Sequence, residues 1–150
     1  MKPLQRILFV EDDREDQEAF ISIMNDLDEV PPYTIANNGK EAVDLIKQSK
    51  DLPRLIFLDI NMPRMNGMEF LQEICKDPAT MSIPVVMLST SSLQKTQAKE
   101  LGANAYLKKS SNYENVRDQL LRMLNLDFVN DSFIASQTFT MDPSSNAELY

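Results

Sequence analysis

Residues 55–63 read LIFLDINMP. Four apolar residues, Leu55 to Leu58, run directly into a carboxylate, Asp59. A short apolar run bounded by turn formers reads as a strand buried on both faces. A desolvated acid is costly at the end of such a strand unless something pairs with it. The stretch therefore sets two expectations: a covered, parallel sheet, and a site at the strand end that accounts for Asp59.

The same kind of run recurs along the chain. RILFV (6–10), YTIA (33–36), PVVMLS (84–89) and AYLK (105–108) are the other candidate strands. Helix-like stripes lie between them: Ala19, Phe20, Ile23, Met24 and Leu27; Ala42, Val43 and Ile46; Phe70, Leu71, Ile74 and Cys75; Ala98 and Leu101; and Val116, Leu120, Met123 and Leu124. Gly102 stands where a left-handed C-terminal residue belongs, and Ser111 to Glu114 reads as a capping box for the last helix. Asn37-Asn38-Gly39, Pro53, Pro63, Asn66-Gly67 and Pro78 punctuate the runs as turns. Five strands alternating with five helices predict an α/β fold, a doubly wound five-stranded parallel sheet with helices on both faces. Ligands of such sheets gather beyond the carboxyl ends of the strands.

The bulk composition narrows the function. The 150 residues suit one domain with a sizeable core. The net charge of -8 argues against nucleic acid and against anionic membrane as partners. A single cysteine, Cys75, allows no internal disulfide and fits a reducing, cytoplasmic setting. Neither a signal peptide nor a membrane span is expected from the apolar runs. There is no histidine, which removes His-dependent nucleophilic catalysis and the usual zinc sites. Cys75 reads as a packed core residue.

The chemistry collects at the strand ends. Glu11, Asp12 and Asp13 follow the first strand, Asp59 and Asn61 the third, Ser89 the fourth, and Tyr106, Lys108 and Lys109 lie in or after the fifth. In a parallel sheet these all open on one edge. Clustered carboxylates raise one another's pKa and call for protons or a cation. Hard oxygen ligands suit Mg²⁺, which binds through one or two carboxylates and recruits a phosphoryl oxygen. Lysine and serine can pair with that phosphoryl group. The set fits phosphoryl transfer onto an aspartate. Asp13, Glu15 and Asp16 read instead as a solvated face that offsets a helix dipole.

The blocks ILFVEDD, LIFLDINMPRMNG, IPVVMLSTSS and GANAYLKKS resemble, in order and spacing, the receiver domain of two-component response regulators in its single-domain, chemotaxis-regulator form. The wording of VEDD and LSTSS is most similar to small regulators paired with phytochrome-type kinases. The resemblance covers about residues 4–125. It implies a flavodoxin-like strand order, 2-1-3-4-5, with Asp59 as phosphoacceptor. It implies Asp12 as a direct Mg²⁺ ligand, Glu11 acting largely through water, and Asn61 giving its backbone carbonyl. Lys109 rather than Lys108 aligns with the family lysine, Ser89 with the switch hydroxyl and Tyr106 with the switch aromatic. The implied partners are a sensor histidine kinase or histidine phosphotransfer protein and a downstream protein target, met on the face of the fourth helix, fifth strand and fifth helix. A homodimer formed on phosphorylation is a further expectation.

One departure bears on geometry. The family usually has proline after the lysine, in a cis bond, and here Ser110 stands instead. A cis bond before a non-proline costs ~2.5–4 kcal/mol, so the loop from Lys109 to Asn112 is expected to differ in shape. Residues 1–125 are expected to form the receiver domain. Residues 126–150 are expected to form a tail rather than an output domain, with weak alternation from Phe133 to Met141. On the residues alone two rivals stay open. One is a docking module that is never phosphorylated. The other is a hydrolase with an aspartyl-phosphate intermediate, against which Asn61 counts, because such phosphatases carry an acid there.

Overall fold

The computed structural model describes residues 6–62, 65–125 and 147–149. Its elements alternate along the chain: β1 (Ile7–Val10), α1 (Arg14–Asn25), β2 (Tyr33–Ala36), α2 (Gly39–Gln48), β3 (Leu55–Asp59), α3 (Gly67–Lys76), β4 (Val85–Ser89), α4 (Lys95–Leu101), β5 (Ala105–Lys108), α5 (Tyr113–Leu124) and β6 (Ala147–Leu149). The first five strands are parallel, in the order β2-β1-β3-β4-β5. This is the expected doubly wound sheet.

The difference lies at one edge. β6 pairs antiparallel with β5, Tyr106 standing opposite Glu148, so the sheet has six strands rather than five. Three residues are too few to carry a readable alternation, which is why the sequence did not announce this strand. The alternation from Phe133 to Met141 and the turn at Pro63 lie outside the described residues.

Strand side chains alternate between two cores, as period two demands. Leu8, Val10, Ile56, Leu58, Val85, Met87 and Tyr106 face α2, α3 and α4. Ile7, Phe9, Leu55, Phe57, Val86, Leu88, Ala105 and Leu107 face α1 and α5. Phe9 stacks on Phe20 with ring centroids 4.1 Å apart, and Phe57 lies 6.2 Å from both rings. That aromatic cluster fixes α1 against β1 and β3.

Helix starts are set by side chains that accept from exposed backbone N–H groups. Asp13 caps α1, Asn38 caps α2 and Asn112 caps α5. The capping box expected at Ser111 is therefore displaced by one residue: Asn112 accepts from the Asn115 N–H, and Glu114 falls in the first turn. Asparagine competes well with serine at this position. A full capping box does occur at α3, where Asn66 accepts from the Glu69 N–H and Glu69 returns the bond. Asn66→Ala is expected to cost about 1 kcal/mol, seen as a lower urea midpoint at an unchanged slope. Gly102 ends α4 with φ 109°, the left-handed conformation expected from its position.

Candidate functional site

The period-two rule decides which side chains meet. Leu55, Phe57 and Asp59 share one face of β3; Ile7 and Phe9 lead on the same face to Glu11; Ala105 and Leu107 lead to Lys109. Three strands thus deliver an acid, an acid and a lysine to one spot beyond the sheet edge. Lys108 falls on the opposite parity and is exposed. That is the physical reason Lys109, and not its neighbour, enters the site.

Lys109 Nζ lies 2.9 Å from Glu11 Oε2, 2.8 Å from Asp16 Oδ2 and 3.1 Å from Asp59 Oδ1. Glu11 is fully buried and Asp59 is 3 % exposed. Carboxylate oxygens of Glu11, Asp12 and Asp59 all lie within 4.8 Å of one another. One lysine cannot neutralise so many acids. Burial, and then the nearby Asp59, push Glu11 up to about 8. Burial also raises Asp59, with Lys109 opposing it. Burial lowers the Lys109 ammonium, but Asp16, Glu11 and Asp59 outweigh it and hold the group above its ordinary value. Excess negative charge on hard oxygen donors is what a divalent cation relieves, so Glu11, Asp12 and Asp59 fit such an ion.

Ser110 does not spoil this arrangement. There is no cis peptide bond among the described residues. Ser110 Oγ instead accepts from the Asn112 N–H at 3.1 Å, and the Lys109 N–H donates to the Ser89 carbonyl at 2.6 Å. The lysine is anchored through its backbone before the loop departs.

Ser89 and Tyr106 form a second group. Ser89 is fully buried, and its Oγ accepts from the Ser91 N–H at 3.1 Å. Among the described residues its own O–H has no acceptor, and it is not bonded to Asp59. Tyr106 is buried with the α3 and α4 core, and its OH donates to the Ser91 carbonyl. The tyrosine aligned with the switch aromatic is thus inside, tied to the backbone of Ser91 rather than to Ser89. Asn61 is exposed, two residues past Asp59.

Three residues of the site escape a reading of the sequence. Asp16 looks like a solvated acid, yet it is bonded to Lys109; its place in the first turn of α1, just after the end of β1, is the available signal. Gln17 Nε2 donates to the Glu11 carbonyl and to Asn37 Oδ1, tying α1 to the strand ends. Gly67, at a turn, approaches β3 so closely that a Cβ there would strike the Asp59 carbonyl oxygen.

The family profile described as the response regulator receiver domain matches residues 7–121. The chain belongs to that family. Response regulator Rcp1 of Synechocystis sp. is 32 % identical over 121 residues, covering 76 % of this chain and 82 % of that protein. Transcriptional regulatory protein CpxR of Escherichia coli is 35 % identical over 113 residues, 73 % of this chain and 44 % of that protein. The chain therefore spans under half the length of the CpxR relatives it matches. The phosphorylated cyanobacterial phytochrome response regulator RcpA superposes with a TM-score of 0.71 at 28 % identity, covering 95 % of this chain and 100 % of that one. The Mn²⁺-bound form of Rcp1 gives 0.68 at 30 % identity, over 92 % and 99 %. As a receiver, this chain sets its acids and its lysine at the carboxyl edge of the sheet. No helix among the described residues is long and apolar enough to cross a membrane.

Proposed function

We propose that this receiver is a phosphorylation-dependent signalling switch, with Asp59 as the phosphoacceptor. The observation that carries this is a buried Asp59 set 3.1 Å from a lysine and within 4.8 Å of two further carboxylates. A carboxylate oxygen of Asp59 attacks phosphorus. The bond from phosphorus to the donor's leaving group breaks, and that group departs with the electron pair. Lys109 neutralises charge on the phosphoryl oxygens. Asp12, Asp59, the Asn61 carbonyl and, through water, Glu11 would hold Mg²⁺, which supplies further charge neutralisation when bound.

Ser89 supports the switch. A fully buried hydroxyl with a spare O–H is a donor awaiting an acceptor, and a phosphoryl group brings three acceptor oxygens. Magnitudes set the scale of its effect. A charged hydrogen bond contributes ~1.5–3 kcal/mol, whereas moving an equilibrium from 1:99 to 99:1 takes ~5.5 kcal/mol. Ser89 therefore needs Lys109 and a partner to complete the change. Tyr106, already inward, would hold the inner position through Ser91 rather than move into it.

The 150 residues contain no histidine, so a phosphohistidine donor lies outside them; the donor proposed is a cytoplasmic sensor histidine kinase or histidine phosphotransfer protein. Likeness to a phytochrome response regulator favours a kinase of that kind. The output is a downstream protein met on the face of α4, β5 and α5, or a homodimer formed there. Residues 1–125 act as the receiver unit, and residues 126–150 as a tail whose Ala147–Leu149 edge lies on β5.

Intact-mass analysis after incubation with Mg²⁺ and acetyl phosphate tests the reading. Wild type is expected to gain one phosphoryl group and Asp59→Ala none. An unmodified wild type would leave a docking module that is never phosphorylated, and an equal adduct on Asp59→Ala would overturn Asp59 as the phosphoacceptor.

A further inference from the structure

The Lys109 ammonium has three N–H donors, and three acids stand around it. The closest oxygen belongs to Asp16, at 2.8 Å; the most distant of the three belongs to Asp59, at 3.1 Å. Asp16 also differs in setting. Its side chain is 44 % exposed, against 5 % for Asp59, and it comes from the first turn of α1, outside the carboxylate trio that fits a cation. A phosphoryl group on Asp59 needs a donor from this same ammonium. The ammonium already donates to Glu11 and Asp16, which limits how closely it can follow that group.

We propose that Asp16 is a positioning residue for Lys109. It competes with phosphorylated Asp59 for the ammonium, and so limits how strongly the lysine engages the phosphoryl group. The proposal rests on the switch reading above. Asp16 stands outside the carboxylate trio and is bonded to Lys109, so it acts through the lysine. Weakening Asp16 releases a donor toward the phosphoryl group and stabilises the phosphorylated state.

The test uses beryllofluoride, a phosphoryl mimic, with saturating Mg²⁺. Its apparent affinity is compared for the wild-type chain and for Asp16→Asn, Asp16→Glu and Glu15→Gln. Asp16→Asn is expected to bind the mimic about fivefold more tightly, the scale of one partly exposed ion pair. Asp16→Glu should return close to wild type. Glu15→Gln removes an acid from the same helical turn without touching Lys109, and should leave the affinity near wild type. Melting temperatures should stay close together, because the backbone cap from Asp16 N–H to Asp13 is kept in all four chains. An unchanged or weaker affinity for Asp16→Asn, or an equal gain for Glu15→Gln, overturns the proposal. Wild type that neither binds beryllofluoride nor accepts a phosphoryl group from acetyl phosphate overturns the switch reading instead.

Discussion

Glu11→Gln is expected to melt higher than wild type at pH 8 when no divalent cation is present, and to lose that advantage at pH 5. The cause is a buried acid with too little compensating charge. Glu11 titrates at 4.5 in an unfolded chain and at about 8 in the fold, through burial first and Asp59 second. The folded protein therefore holds this proton more tightly than the unfolded one. The neutral acid's contribution is fully present below pH 4.5 and is lost as pH rises through 8. Every tenfold gain in proton affinity on folding corresponds to roughly 1.4 kcal/mol, and each kcal/mol to about 2–4 °C for a domain of this size. A gap of about 5 °C or more at pH 8 follows. Glutamine keeps one acceptor oxygen, so only one of the bonds from the Asp13 N–H and from Lys109 survives, and the gap is what remains after that loss. Saturating Mg²⁺ should reverse the order, because a cation that binds only the folded state stabilises wild type more. Calorimetry at both pH values, with and without Mg²⁺, checks this. A wild-type melting temperature that stays flat from pH 5 to pH 8 in chelator would refute it.

Gly67→Ala should damage the site more than its size suggests. The added Cβ would overlap the Asp59 carbonyl oxygen and stand 2.8 Å from Ile60 Cα. Both obstacles are backbone, at the end of β3 and the residue after it, held to β4 by Asp59 opposite Leu88 and by the Ile60 N–H to the Leu88 carbonyl, so neither can rotate away. The Gly67 N–H also donates to the Ile60 carbonyl at 2.9 Å, fixing α3 to the end of β3. Overpacking of this kind costs about 1–3 kcal/mol. A displaced nucleophile loses far more in rate, about 100-fold for a shift near 1 Å. Labelling by acetyl phosphate, followed well below the melting point, should fall by that order. Gly102→Ala is the contrast: it strains a left-handed residue and crowds the Cys75 sulfur at 2.8 Å. Its melting temperature should drop while labelling stays near wild type. Equal labelling losses in the two variants would separate Gly67 from the site.

Much of this was legible because the sheet obeys two simple periods. The five parallel strands could be read from apolar runs bounded by turn formers, and parity then places Glu11, Asp59 and Lys109 together. The family blocks point to the same three residues. What escaped has a common cause: it depends on approach between elements. Asp16 reads as an ordinary first-turn acid until α1 is laid beside β5. Gly67 reads as a turn former, because a turn and a steric clearance both call for glycine. The cap of α5 slipped by one residue, since Ser111 and Asn112 are both good caps and only the backbone path chooses. Ser110 signalled a change of loop, yet the lysine stayed, because its own N–H is pinned to Ser89. β6 is too short to advertise itself.

The bond between Glu11 and Lys109 joins residues 98 positions apart. That separation makes the site a late product of folding. Closing so long a loop is entropically costly, and such contacts form slowly. Until β5 joins β4, the strand ends already assembled hold Glu11, Asp12 and Asp59 with no lysine among them. A chain emerging from synthesis presents these acids well before their counterion. Asp59 therefore acquires its full environment only once β5 and the loop that follows it are in place; on the proposed switch reading, that ties competence to receive a phosphoryl group to the arrival of Lys109.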